Sequence, residues 1–176
     1  MLTSSGESAY LAAHAGLALG FAQFINPIGG AEAIAVYRQR FQPSALLASP
    51  QANVGVFIFC SESEETVART QTVMDYRFLG FEKGRIDDMP TYEIARQYNY
   101  SPAEWQRVLF NRQRTIMGTP DIVKEKITAL AAELDVPEVM AATFAESRED
   151  RFRSYELLAE MFLAPVTSTH QAGVLS

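Results

Sequence analysis

The 176-residue sequence has a single cysteine and only two histidines. Cys60 alone closes no internal disulfide, and with only His14 and His170 beside it no metal centre is expected. Basic residues are in the minority, with 15 Lys and Arg against 21 Asp and Glu for a net charge of −6. That balance disfavours nucleic acid, which needs clustered cations to neutralise phosphate. No apolar run approaches the ~18 residues of a membrane helix, and no basic residue precedes the first apolar stretch as it would in a secretion signal. A soluble cytoplasmic protein without nucleic-acid or membrane partners is the expectation. Internal repeats and low-complexity tracts are missing as well. At 48% hydrophobic and 20% charged the composition is globular, and the length suits one domain. The domain is expected over 1–165. A loose tail is expected over 166–176, where Thr167–Gly173 shows no apolar period.

What the chain does have is apolar runs of strand length: Leu19–Asn26, Val54–Cys60 and Glu138–Phe144. They lack strict alternation, as do strands covered on both faces in a parallel sheet. Met1-Leu2-Thr3 reads as the end of a further strand, because the turn Ser4–Ser8 and then a helix over Ala9–Ala15 follow it. The chain thus reads as beginning inside a fold. An α/β architecture follows, its strands parallel in chain order, with Ser5, Asn26, Cys60 and Thr143 or Phe144 toward one end of the sheet.

Helices fill the intervals. Ile34, Tyr37 and Phe41 recur at helical spacing in 31–41 after the Asn26–Gly30 turn. Ser63 caps a helix running to about Phe78, with Glu64 and Glu65 in the first turn where the dipole favours acids. Residues from about 80 to 117 leave the βα alternation. Within them Ser101-Pro102-Ala103-Glu104 combines a cap, a first-turn proline and a capping-box acid. This excursion either shapes a pocket or simply covers the fold. Thr119-Pro120-Asp121 starts a helix with the stripe Val123, Ile127, Leu130 and Leu134, and a last helix from about Glu149 carries Phe152, Tyr155, Ala159 and Phe162 on one face.

Ser4, Ser5, Gly6 and Ser8 bring three hydroxyls and unsatisfied backbone N–H groups to a helix amino terminus. That suits a phosphate, although Glu7 partly opposes it, and the same serines would also serve as ordinary caps. Cys60 at a strand end reads as a small buried hydrophobe, and His14 as a rim or surface residue. Arg107, Arg112 and Arg114 read as a solvated basic helical end beside Glu104.

Several stretches in order resemble the luciferase-like flavin monooxygenases. They are Leu2–Ala9, Ala12–Leu17 and Phe21–Pro27 at the start, Cys60–Ala68 at an acidic helix start, Arg112–Pro120 at a glycine-proline lead-in, and Glu138–Met140 followed by Arg151–Ala159. The resemblance covers nearly the whole chain and implies a (β/α) TIM-type barrel, of which this chain would supply the carboxyl-terminal half, strands five to eight. It implies reduced FMN, or less often the deazaflavin F420, used with oxygen to oxidise a small organic substrate. Carried over by position, Ser5 and Ser8 fall at the flavin phosphate, with Ser4 and Gly6 completing the turn. Gln23 stands beside the flavin, where bacterial luciferase has an aromatic residue. The family's catalytic histidine belongs to the first half, so the catalytic residues are not assigned here.

A half-barrel leaves unpaired edge strands and an apolar inner face, which favours a homodimer or a first-half partner chain. The alternative to an enzyme is a non-catalytic flavin-binding or assembly half-barrel that works only with a partner.

Overall fold

In the computed structural model, residues 1–85 and 90–163 are described. The expected tail at 166–176, with His170, and residues 86–89 of the excursion lie outside the described residues. The order is β1 (Leu2–Thr3), α1 (Gly6–His14), β2 (Leu19–Ala22), α2 (Gly30–Arg40), β3 (Ala52–Cys60), α3 (Glu64–Glu82), α4 (Tyr92–Ala95) and α5 (Pro102–Asn111). A 3-10 turn at Arg112–Arg114 then leads to β4 (Thr115–Gly118), α6 (Pro120–Leu134), β5 (Val139–Ala142) and α7 (Arg148–Phe162).

Every strand pairing is parallel. Val54 and Gly55 are partnered both by Phe21 and Ala22 of β2 and by Val139 and Met140 of β5, so these strands flank β3 on opposite sides. The main sheet therefore runs β1, β2, β3, β5 in chain order, as the apolar runs predict. Phe57 pairs with Ala142 and also with Thr115, which puts β4 on the β2 side, alongside the second half of β3. This strand is a correction to the reading of 80–117 as wholly outside the sheet. At four residues it is too short to show a period, and it continues the ladder where β2 has already ended.

The apolar runs overstate their strands at the carboxyl ends. After Ala22 the chain turns back, the Ile25 and Asn26 N–H groups donating to the Ala22 carbonyl at 3.0 and 3.1 Å. After Ala142 the Thr143 N–H leaves the ladder for the Tyr155 hydroxyl at 3.0 Å. Both departures carry the chain across the rim of the sheet.

One face of the sheet holds the core. Leu19, Phe21 and Val54 pack with Ala9, Ala12 and Ala13 of α1, Ile34 and Tyr37 of α2, and Leu134. Val56, Ile58 and Cys60 pack with Ile116, Val123, Ile127, Leu157 and Leu158. Tyr37 is fully buried, its hydroxyl between the Leu17 and Gln51 carbonyls at 2.9 and 3.1 Å while accepting the Gln51 N–H at 3.0 Å. The opposite face is open over β1 and β5, though Phe59 near the end of β3 is buried on it. Leu2 and Met140 remain 62% and 56% exposed there, beside a groove of about 480 Å³ lined by Gly20, Phe24, Asn53, Gly55 and Ala142.

Candidate functional site

Parallel pairing brings the carboxyl ends of all the strands to one rim, where (β/α) barrels carry their active sites. At the end of β1, Ser5 is the N-cap of α1 and its Oγ accepts the Ser8 N–H at 3.4 Å. The Ser5 hydroxyl also donates to Ser8 Oγ at 3.3 Å, so the two hydroxyls form one polar pair. Thr3 Oγ1 fixes the turn from below, accepting the Ser5 N–H at 3.3 Å and donating to the Ser5 carbonyl at 3.0 Å. Asn26 fixes it from the side, its Nδ2 donating to the Ser4 carbonyl at 2.9 Å. The next two amides, of Gly6 and Glu7, belong to a first helical turn that has no intrahelical acceptor to offer them.

Ser5, Gly6 and Glu7 are exposed, Ser4 and Ser8 half-buried. A Cβ built on Gly6 would meet nothing within 4 Å, so the space over the turn is open. The structure thus gathers Ser4, Ser5, Gly6 and Ser8 as the sequence predicts, and adds Asn26 as their tether. Gln23 lies at the neighbouring strand end, half-buried, with its N–H donating to the Phe21 carbonyl at 3.2 Å.

The open face of the rim is aromatic, which sequence reasoning missed. Phe57 stands at its centre, with Phe24 at 5.2 Å, Phe144 at 4.8 Å and Phe78 of α3 at 5.9 Å between ring centroids. The signal was present in β3, where Val54, Val56 and Ile58 of the core alternate with Gly55, Phe57 and Phe59. A continuous apolar run hides that alternation.

Cys60 is buried as expected, and burial, followed by the nearby Glu62 carboxylate, pushes its thiol up to about 11. His14 sits in the last turn of α1, stacked on Tyr10 at 6.4 Å and away from the strand-end rim. Arg107 is exposed as expected, but Arg112 and Arg114 are half-buried and paired rather than solvated, which corrects the expectation for those two. Arg112 forks onto the buried Asp75 at 2.6 to 3.2 Å, and Arg107 and Arg114 converge on Glu82 at 2.6 and 3.3 Å. Asp75 and Glu82 lie two turns apart on α3 and so face the same neighbour, α5. These pairs clamp the excursion to α3. Hydrogen bonding to Asp75 raises the Arg112 guanidinium, while burial lowers that of Arg114.

A parallel sheet packed with helices and a serine-rich helix-capping turn at a strand end define a (β/α) barrel-type protein. Sequence and fold together group the chain with the luciferase-like monooxygenases. The Bacillus subtilis protein YwcH is 42% identical over 163 residues, 92% of this chain and 49% of that protein. An Escherichia coli luciferase-like monooxygenase is 28% identical over 161 residues, again 92% of this chain and 48% of the relative. The crystal structure of apo-MsnO8 superposes with a TM-score of 0.81 at 29% identity, over 92% of this chain and 50% of that one. The chain spans about half the length of the curated relatives it matches. No protein-family model matches it. Among the described residues no helix is long and apolar enough to cross a membrane.

Proposed function

We propose that the chain is the carboxyl-terminal half of a luciferase-like barrel and works, at a cytoplasmic address, as a flavin monooxygenase on a small organic substrate. The observation that carries this reading is the Ser4–Ser8 turn. Its paired hydroxyls, its first-turn amides and the open space over Gly6 fit the phosphate of FMN. Ser5 and Ser8 would hold the anion, Asn26 and Thr3 would keep the turn in shape, and Gln23 would lie beside the ring system. F420 also carries a phosphate and is the less favoured cofactor. When bound, reduced flavin supplies the electrons that activate oxygen. This chain's residues bind and orient it; no general base among them is assigned.

A second reading is favoured by the open face. The edges of β1 and β5 and the exposed Leu2 and Met140 suit a half-barrel that pairs with a second copy or with a first-half chain. In that case flavin binding serves the assembled pair. Oxygen uptake with reduced FMN separates the two readings. Consumption of oxygen that rises when an aliphatic aldehyde is added supports the enzyme, whereas flavin binding without substrate-dependent uptake supports the pairing module. Sedimentation at micromolar concentration tests the pairing itself, and a stable monomer that binds no hydrophobic dye would rule it out.

A further inference from the structure

We infer that Ser154 and Tyr155, neighbours on α7, are positioning residues whose hydroxyls stop the β3–β5 ladder at Ala142 and turn Thr143 and Phe144 across the strand-end rim. The inference rests on the flavin monooxygenase reading and adds to it two residues that act through the backbone of the rim. Phe57 is the last residue of β3 with a partner on β5, Ala142, yet β3 runs on to Cys60. Alternate N–H groups of β3 point toward β5, beginning with Val54, which donates to the Glu138 carbonyl at 3.3 Å. Counting on by twos, the Cys60 N–H would meet the Phe144 carbonyl. It meets the Ser154 hydroxyl instead, at 2.9 Å.

Both contacts are built into one turn of helix. Ser154 is fully buried, and without its oxygen the Cys60 N–H would be a buried donor with no partner. The next residue along a helix is turned by about 100°, so α7 offers Tyr155 to β5, where its hydroxyl accepts the Thr143 N–H at 3.0 Å. By the same alternation that N–H points away from β3, to the outer edge of β5. The Thr143 hydroxyl is buried and has no partner among the described residues, so of its two donors only the N–H is tethered.

The consequence is local to the rim. Phe144 stands 4.8 Å from Phe57 between ring centroids, with Arg77 over its ring at 5.4 Å. Continued pairing would take the Phe144 N–H to the Ile58 carbonyl and its own carbonyl to Cys60, closing the notch between β3 and β5 at the end where (β/α) barrels carry their chemistry. The Ser4–Ser8 turn is spared, because β1 lies three strands, about 14 Å, from β5. A change at α7 therefore touches turnover before it touches FMN binding.

Ser154→Ala and Tyr155→Phe each remove one oxygen and keep the rest of the side chain. In the isotope-labelled full chain, Tyr155→Phe should speed exchange of the Thr143 amide roughly fivefold to tenfold, as the loss of one hydrogen bond would. The double variant should move the Thr143 and Phe144 Cα and Cβ shifts to extended values while the Cys60 amide stays protected, because the ladder resumes. With reduced FMN and an aliphatic aldehyde, kcat for substrate-dependent oxygen uptake should fall roughly tenfold in each variant, and FMN affinity should stay within about twofold. The assignment is refuted if both single variants turn over like the parent, if the Thr143 amide ignores Tyr155→Phe, or if FMN affinity falls in step with kcat, which is general damage. Should Ser154→Ala fail to fold, Tyr155→Phe at its 41% exposed position carries the test. A parent chain that takes up no oxygen with reduced FMN sinks the flavin reading, and the strand stop then stands or falls on the amide data.

Discussion

The two faces of one sheet carry opposite characters. On the helix-covered face Val54, Val56, Ile58 and Cys60 are at most 1% exposed and belong to two packed clusters. On the other face Leu2 and Met140 are more than half exposed and half-buried aromatic rings gather at the rim, with Phe59 of β3 the buried exception. The difference teaches that the packed core and the exposed apolar surface are separated across the thickness of the sheet: stability rests where helices cover it, and apolar area stays in water where they do not.

The comparison breaks if substitutions on the two faces cost the same. Tyr37→Ala on the covered face removes a fully buried ring and strands the Gln51 N–H, and should cost about 3–5 kcal/mol in denaturant unfolding. Met140→Ala on the open face should cost under about 1 kcal/mol. Equal losses would mean that the open face is also core.

Asp75→Ala comes next. It strips the buried partner from Arg112 and should destabilise by about 2 kcal/mol, less than a fully buried pair because Arg112 is 38% exposed. Thermal unfolding reads the loss, and a neutral result would remove the clamp between α3 and the excursion.

On the open rim the expected effects are on ligand rather than on fold. Ser5→Ala should weaken FMN by about 1 kcal/mol, the scale of one hydrogen bond, and riboflavin less, since only FMN carries the phosphate. Equal weakening of both would take the phosphate away from this turn.

The last effect concerns pH. Burial raises the Cys60 thiol from 9.0 to about 11, so the folded chain holds this proton through a range in which the unfolded chain releases it. Its contribution is therefore present below about pH 9 and lost as pH rises toward 11. Cys60→Ser should flatten that part of the stability profile, and an unchanged slope would put the loss on other groups.

Much of the fold was legible because strands that carry apolar residues on both faces leave continuous apolar runs, and because Ser63, Ser101 and Ser5 announce helix starts by their own capping chemistry. The Ser4–Ser8 capping turn was legible for the same reason, since hydroxyls at a helix amino terminus are a local pattern. What escaped was non-local. Four residues of β4 have no period of their own and become a strand only against the far half of β3. Arg112 looks solvated in sequence and meets Asp75 only once α5 folds back on α3. The aromatic rim joins residues 24, 57, 78 and 144, which are far apart in the chain and meet at one end of the sheet.

The most direct measurement is a backbone amide NMR titration of the isotope-labelled chain with FMN. The account predicts that the largest shifts fall on Ser5, Gly6, Glu7 and Ser8, with Gln23 and Asn26 next, and that inorganic phosphate moves the first group alone. Shifts confined instead to the groove of about 590 Å³ between α6 and α7, at Ile127, Ala131 and Phe162, would contradict it.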